Sequence, residues 1–172
     1  VWQPSGPPAT CEKKGREISD WLAWKLYGLC ICADDPRAPH AVLKWQYKTS
    51  FRLYNHDPRE LETNFRVFLE PQNSYHSILE EHQGNLVRFC CLGAEARVSS
   101  GVYKRDDTLD ICAVIRADLM GTGLAAHFLS SILDWAGTQF SPEYCSVTVA
   151  SFNRTGTCLC PKAGFIPEQT FI

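Results

Sequence analysis

From Gly84 onward, short apolar runs alternate with polar turns, and their spacing predicts the elements. Leu86–Leu92 reads as a strand, 93–98 alternates, Ser99-Ser-Gly101 is a turn, and Leu109–Ile115 is a further strand. Consecutive short strands joined by turns predict an antiparallel meander. Leu124, Phe128, Leu129, Ile132 and Trp135 then recur at helical spacing, predicting a helix over about 122–138 with one apolar face. Val147–Ala150 follows as a strand, Asn153 is placed to cap a helix reaching about Ala163, and Phe165–Ile172 closes the chain as a strand. Strand, helix and strand in that order predict one right-handed crossover.

Upstream the periodicity is weaker. Ile18–Leu26 has a short helical pattern that Ser19 or Asp20 could start, and Leu26–Cys32 reads as a first strand ended by Asp34-Asp35-Pro36. Ala41, Val42 and Trp45 suggest a short helix from Pro39 to about Tyr47, and a loop rich in aromatics runs on to Pro58. Residues 59–82 are charged and irregular, with helix predicted at Arg59–Phe68 and near Tyr75–His82. Residues 1–25, Pro-rich and then charged, read as an N-terminal extension, because Pro4, Gly6, Pro7 and Pro8 interrupt regular structure. The domain proper is expected over 26–172, as an α/β chain with an α+β mixed sheet.

Composition narrows the class. With 172 residues, 45% hydrophobic and 21% charged, the chain fits one globular domain, which excludes global disorder and collagen-like repeats. A formal net charge of −2 with no basic face argues against nucleic acid as the main partner. No apolar run approaches the ~20 residues needed to cross a bilayer. The first residues have neither the basic nor the apolar region of a secretory signal, and the absent initiator Met suggests processing or a fragment. Most of the nine cysteines lie in apolar runs and read as reduced core residues of a cytoplasmic protein. No CxxC pair or His at ligand spacing supports a metal.

Chemistry concentrates in Ile111–Ala125, where a strand runs into a Gly-bearing loop that opens a helix. Glycines let backbone N–H groups approach a phosphate, and a helix N-terminus favours negative charge, so the segment reads as an anion site. The other reading is a tight turn with no ligand, since the same glycines serve any positive φ. Gly121-Thr-Gly-Leu-Ala-Ala126 matches the dinucleotide fingerprint formally, but it follows a meander and no acidic residue ends the next strand. A Walker loop fails because no Lys-Ser/Thr follows Gly123.

Met120-Gly-Thr-Gly-Leu-Ala125 resembles the central Gln/Arg-x-x-Gly-x-Gly/Ala signature of the GNAT superfamily of acyl-CoA-dependent N-acetyltransferases. Val147-Thr-Val-Ala-Ser-Phe-Asn153 followed by Leu159-Cys-Pro-Lys-Ala-Gly-Phe165 resembles that family's strand, Asn, helix, Gly-Phe ending, and the likeness covers 26–172. The resemblance implies a GNAT-like acyl-CoA N-acyltransferase fold, acetyl-CoA as donor, and a primary amine of a small molecule or a protein as acceptor. It places the pantetheine arm on the backbone of Ala113, Val114 and Ile115, and the pyrophosphate on the amides of Met120, Gly121, Thr122, Gly123, Leu124 and Ala125. Asn153 matches the Asn that lies near the CoA arm. Acceptor choice falls to 45–55, where Trp45, Tyr47, Phe51 and Tyr54 either wall a pocket or pack the core.

The reaction needs a base for the ammonium proton. Candidates by position are Glu95 on the third strand and Asp110 at the start of the fourth, each equally readable as a solvated strand-edge carboxylate. The chain departs from the family pattern in three places. Met120 stands at the Gln/Arg position, which implies weaker cofactor affinity. Cys160 stands where the family often has a Tyr acid for the leaving thiolate, with a shorter side chain. The chain stops at Ile172, so the last strand is expected to be missing, and Pro161 falls within the fourth helix. A strand from a second copy, in a homodimer, could cover such an edge. Two functions follow: an active N-acetyltransferase, or a catalytically weak or inactive acyl-CoA-binding or interaction domain on the same fold. A thiol-redox protein rests on cysteine count alone.

Overall fold

Leu86–Leu92 and the strand after it are apolar along nearly their whole length because helices cover both faces of the sheet they build. The computed structural model describes residues 2–4, 29–33, 35, 37–80, 84–103, 105–168 and 170, with the backbone alone at 2–4 and 33. Seven strands form one sheet: β1 (Trp2–Pro4), β2 (Leu29–Ala33), β3 (Tyr75–Glu80), β4 (Leu86–Leu92), β5 (Thr108–Ile115), β6 (Tyr144–Val147) and β7 (Phe165–Pro167), in the order β2-β3-β4-β5-β6-β1-β7. Among the described residues the α-helices are α1 (Ala38–Val42), α2 (Leu61–Leu69), α3 (Ala125–Phe140) and α4 (Arg154–Lys162). β2 to β5 form an antiparallel meander, of which the sequence predicted the β4–β5 part, and β5 and β6 pair in parallel across α3, the expected crossover.

The register sorts the side chains onto two faces. Cys90 opposite Ala113 and Leu92 opposite Ile111 join Ile78 in the main core with Phe128, Leu129, Ile132 and Ala136 of α3. On the other face Phe89 packs with Trp45, Phe68 and Tyr75, and the Phe68 and Tyr75 rings stack at 4.3 Å. Cys90, Cys91, Cys145 and Cys160 are buried thiols within this packing. Burial pushes Cys145 and Cys160 up to about 11, so both stay protonated and behave as small hydrophobes. No helix among the described residues is long and apolar enough to cross a membrane.

Several local expectations need correction. Residues 75–80 form a strand and not a helix. His76 faces Trp135 of α3 while Tyr75 faces Phe68 of α2, so both sides are covered and the period-2 polar signal is lost. The stretch after β4 turns as a 3-10 helix at Gly93–Ala96 and does not continue as strand, because Gly93 takes φ +70°. The strand expected at Val147–Ala150 is shifted to Tyr144–Val147, and the closing strand spans only Phe165–Pro167. Asn153 caps α4 as expected, its Oδ1 accepting from the Gly156 N–H at 3.0 Å.

The N-terminal residues are not wholly outside the domain. β1 pairs antiparallel with both β6 and β7, so residues 2–4 fill the position between those two strands. The short helix expected over Ile18–Leu26 lies outside the described residues.

Candidate active site

The sheet opens where β5 outlasts its partner. The last β5–β6 pair is Ile111 with Val147, and β5 continues to Ile115 while Thr148–Ala150 leave the ladder. Tyr144 donates its N–H to the Asp107 carbonyl, which in a parallel ladder turns the odd-numbered β5 residues toward β6. The Arg116 N–H donates to Val87 on the other side, giving the same alternation. Ala113 and Ile115 thus aim their amides and carbonyls into the gap, and Val114 directs its own toward Phe89 of β4.

The loop after Ile115 leads straight to α3. Leu119 and Met120 close turns on Arg116 and Ala117, and the Thr122 hydroxyl donates to the Leu119 carbonyl at 2.8 Å. Gly121 and Gly123 adopt φ of +79° and +83°, and a Cβ at either would meet nothing within 4 Å. Backbone conformation, not crowding, therefore demands glycine, and the loop presents an open surface. α3 has Leu124 at its N-cap, with no side-chain cap bond and no acidic residue in its first turn. Its first N–H groups and positive dipole end thus face outward, which suits an anion.

Aromatic residues wall the gap. Tyr47 is buried, and its hydroxyl donates to the Ile115 carbonyl at 2.7 Å. Phe51 and Tyr54 lie on a 3-10 helix (Thr49–Tyr54), and both contact Phe152 between β6 and α4, at 5.5 and 6.2 Å between ring centres. Burial raises the Tyr54 phenol, and its hydrogen bond to Asn153 partly offsets this. Segment 47–54 therefore reaches across the opening to the turn that carries Asn153. Tyr47→Phe keeps the ring and removes only the bond to Ile115, so we expect a loss of about 1 kcal/mol in urea unfolding.

The two carboxylates differ sharply. Asp110 is 4% exposed, accepts from Arg97 Nε at 2.7 Å and from the Ser146 hydroxyl, and so has both oxygens engaged. Glu95 is exposed in the turn after β4 and accepts from the Tyr75 hydroxyl at 3.2 Å. Tyr75 also lines a cavity of about 270 Å³ between α1, α2 and β3, together with Val42, Phe68, Ser77 and Phe89. Cys160 lies in the apolar core beside α3.

No family model matches this sequence, and no curated protein matches it. Solved structures do. A GNAT-family acetyltransferase of Bacillus anthracis superposes with a TM-score of 0.60 at 13% identity, over 79% of this chain and 78% of that one. Spermidine/spermine N-acetyltransferase SpeG of Vibrio cholerae, in complex with manganese ions, gives 0.56 at 20% identity over 82% and 79%. A dodecameric structure of the Vibrio cholerae spermidine N-acetyltransferase gives 0.54 at 20% over 82% and 81%. The chain has the GNAT fold.

Within the GNAT fold the predicted residues separate into groups. Ala113 and Ile115 lie in the gap, residues 120–125 form the loop and helix start that follow it, and Asn153 joins them through Tyr54. Asp110 lies at the paired end of β5, and Cys160 lies in the core. Phe152 was not singled out in the sequence. Its only signal was adjacency to Asn153, since nothing local shows that residues 51 and 54 will meet it.

Proposed function

We propose that the protein is an N-acetyltransferase that moves an acetyl group from acetyl-CoA to a primary amine. One observation carries the reading: β5 runs four residues past its last β6 partner, directly ahead of an uncapped helix N-terminus. The residues fit the donor. The Met120–Ala125 amides suit its diphosphate, and the Ala113 and Ile115 backbone groups suit the amide-bearing arm, with the Val114 side chain beside them. Acetyl-CoA supplies a thioester, and a strand amide in the gap polarises its carbonyl.

Glu95 is the base this reading favours, directly or through water, because Asp110 is occupied by Arg97 and Ser146. Glu95 touches Tyr75, which lines the cavity beside α1 and α2, and that cavity offers room for the acceptor's carbon skeleton. The Vibrio cholerae enzymes act on spermidine, which makes spermidine the first acceptor to test beside monoamines and a protein amine. Free cysteines fit a cytoplasmic enzyme.

Glu95→Gln should lower kcat/KM by ~10²-fold or more at neutral pH, with acetyl-CoA affinity unchanged. Equal turnover in that variant would remove Glu95 from the reaction. The second reading, a weak or inactive acyl-CoA-binding domain, is favoured by Met120, which offers no hydrogen-bonding group, and by Cys160 in the core. Acetyl-CoA titration by calorimetry followed by an amine screen separates the two. Binding with turnover supports the enzyme, binding alone supports the second reading, and a folded protein that binds nothing overturns both.

A further inference from the structure

Arg88 is a buried cation that pairs with no carboxylate among the described residues. It sits in the middle of β4, 6% exposed, with its Cζ 4.6 Å from the centre of the Phe128 ring. Among the described residues its Nε and Nη1 have no acceptor. Arg37, Arg59, Arg66, Arg97, Arg105 and Arg116, all more exposed, each hold a carboxylate. Burial pulls the Arg88 guanidinium down to about 10, which still leaves it charged at neutral pH. A ring contact offsets only part of the cost of burying such a charge. A group in this state gains strongly from an anion that it can reach.

Its position says which anion. Arg88 is the register partner of Ile115, the last residue of β5, and Phe128 is the fourth residue of α3. The guanidinium therefore lies between the two elements that flank the glycine loop. That loop has open backbone and an uncapped helix start, and at Met120 it has a side chain with no donor. We propose that Arg88 is a further phosphate-binding residue of this site, providing from β4 a charged donor besides Arg116, which Asp118 already holds. The inference rests on the reading of the loop as the diphosphate site, and it predicts that unliganded stability and ligand affinity move in opposite directions at one residue.

The test compares wild type, Arg88→Met, Arg88→Lys and Gly123→Asp for melting temperature and for affinity to inorganic pyrophosphate and acetyl-CoA. Arg88→Met removes the charge but keeps an apolar chain. It should melt no lower than wild type without ligand and bind both ligands about 10- to 100-fold more weakly. Arg88→Lys keeps a charge without the fork and should fall between them. A folded Arg88→Met of unchanged affinity overturns the proposal, and so does a lower melting temperature with affinity retained. If Arg88→Met does not fold, an Arg88→Lys variant with wild-type affinity for pyrophosphate overturns it instead. Loss of binding in Gly123→Asp but not in either Arg88 variant would remove Arg88 and leave the loop site standing. Pyrophosphate binding lost in the Arg88 variants, without acetyl-CoA binding in wild type, would support the anion site and overturn the acyl-transfer reading. Wild type binding neither ligand overturns both.

Discussion

Gly123→Asp should lose acetyl-CoA binding by ~100-fold or more, whereas Gly123→Asn should stay within about tenfold of wild type. The pair isolates charge. Position 123 has φ +83° with open space where a Cβ would stand, so the Cβ of neither residue meets a neighbour. Asp and Asn tolerate a positive φ better than other substituted residues, and they differ in little except the carboxylate. Set against the diphosphate, that carboxylate is repelled, and it also cancels the positive end of α3. Calorimetric titration checks affinity, and a thermal melt of each variant confirms equal folding. Equal loss in both variants would place the effect on the backbone. No loss in either would move the anion site away from this loop.

Asp110→Ala should destabilise the fold by about 3 kcal/mol, because it breaks a buried charge pair and leaves the Ser146 hydroxyl without its acceptor. The partner Arg97 is 40% exposed and can turn back to water, which keeps the loss at the low end for such pairs. For a domain of this size that corresponds to a fall of about 6–12 °C in Tm. Equilibrium unfolding in urea measures it directly. If Asp110 acts only as this anchor, the folded variant keeps its turnover at low temperature. Turnover abolished with stability retained would make Asp110 the base and displace Glu95.

Both outcomes depend on features that were unequally readable. Gly121 and Gly123 could be placed in a tight turn ahead of a helix because glycine is the residue that takes a positive φ without strain. The Asn153 cap and the apolar stripe of α3 were legible for the same reason: each depends on residues within one or two turns. Asp110 could be seen as a carboxylate near the start of a strand. Nothing nearby in the chain shows that Arg97 and Ser146 will take both its oxygens.

Sequence alone thus determined the β4–β5 pair, the single crossover, the loop and the helix that follows it, because hydrophobic period and backbone preference act between near neighbours. Tertiary structure alone decided where β6 leaves β5, and so which amides are free. It also decided that Tyr75–Glu80 is a strand covered on both faces, that Phe152 meets Phe51 and Tyr54, and that residues 2–4 enter the sheet. Arg88 is the sharpest case, since its sequence context is that of any strand residue. Its isolation from every described carboxylate follows from a strand register and a helix laid over it. Pairing length, ring contact and charge partnership join residues far apart in the chain, and only the folded chain brings them together.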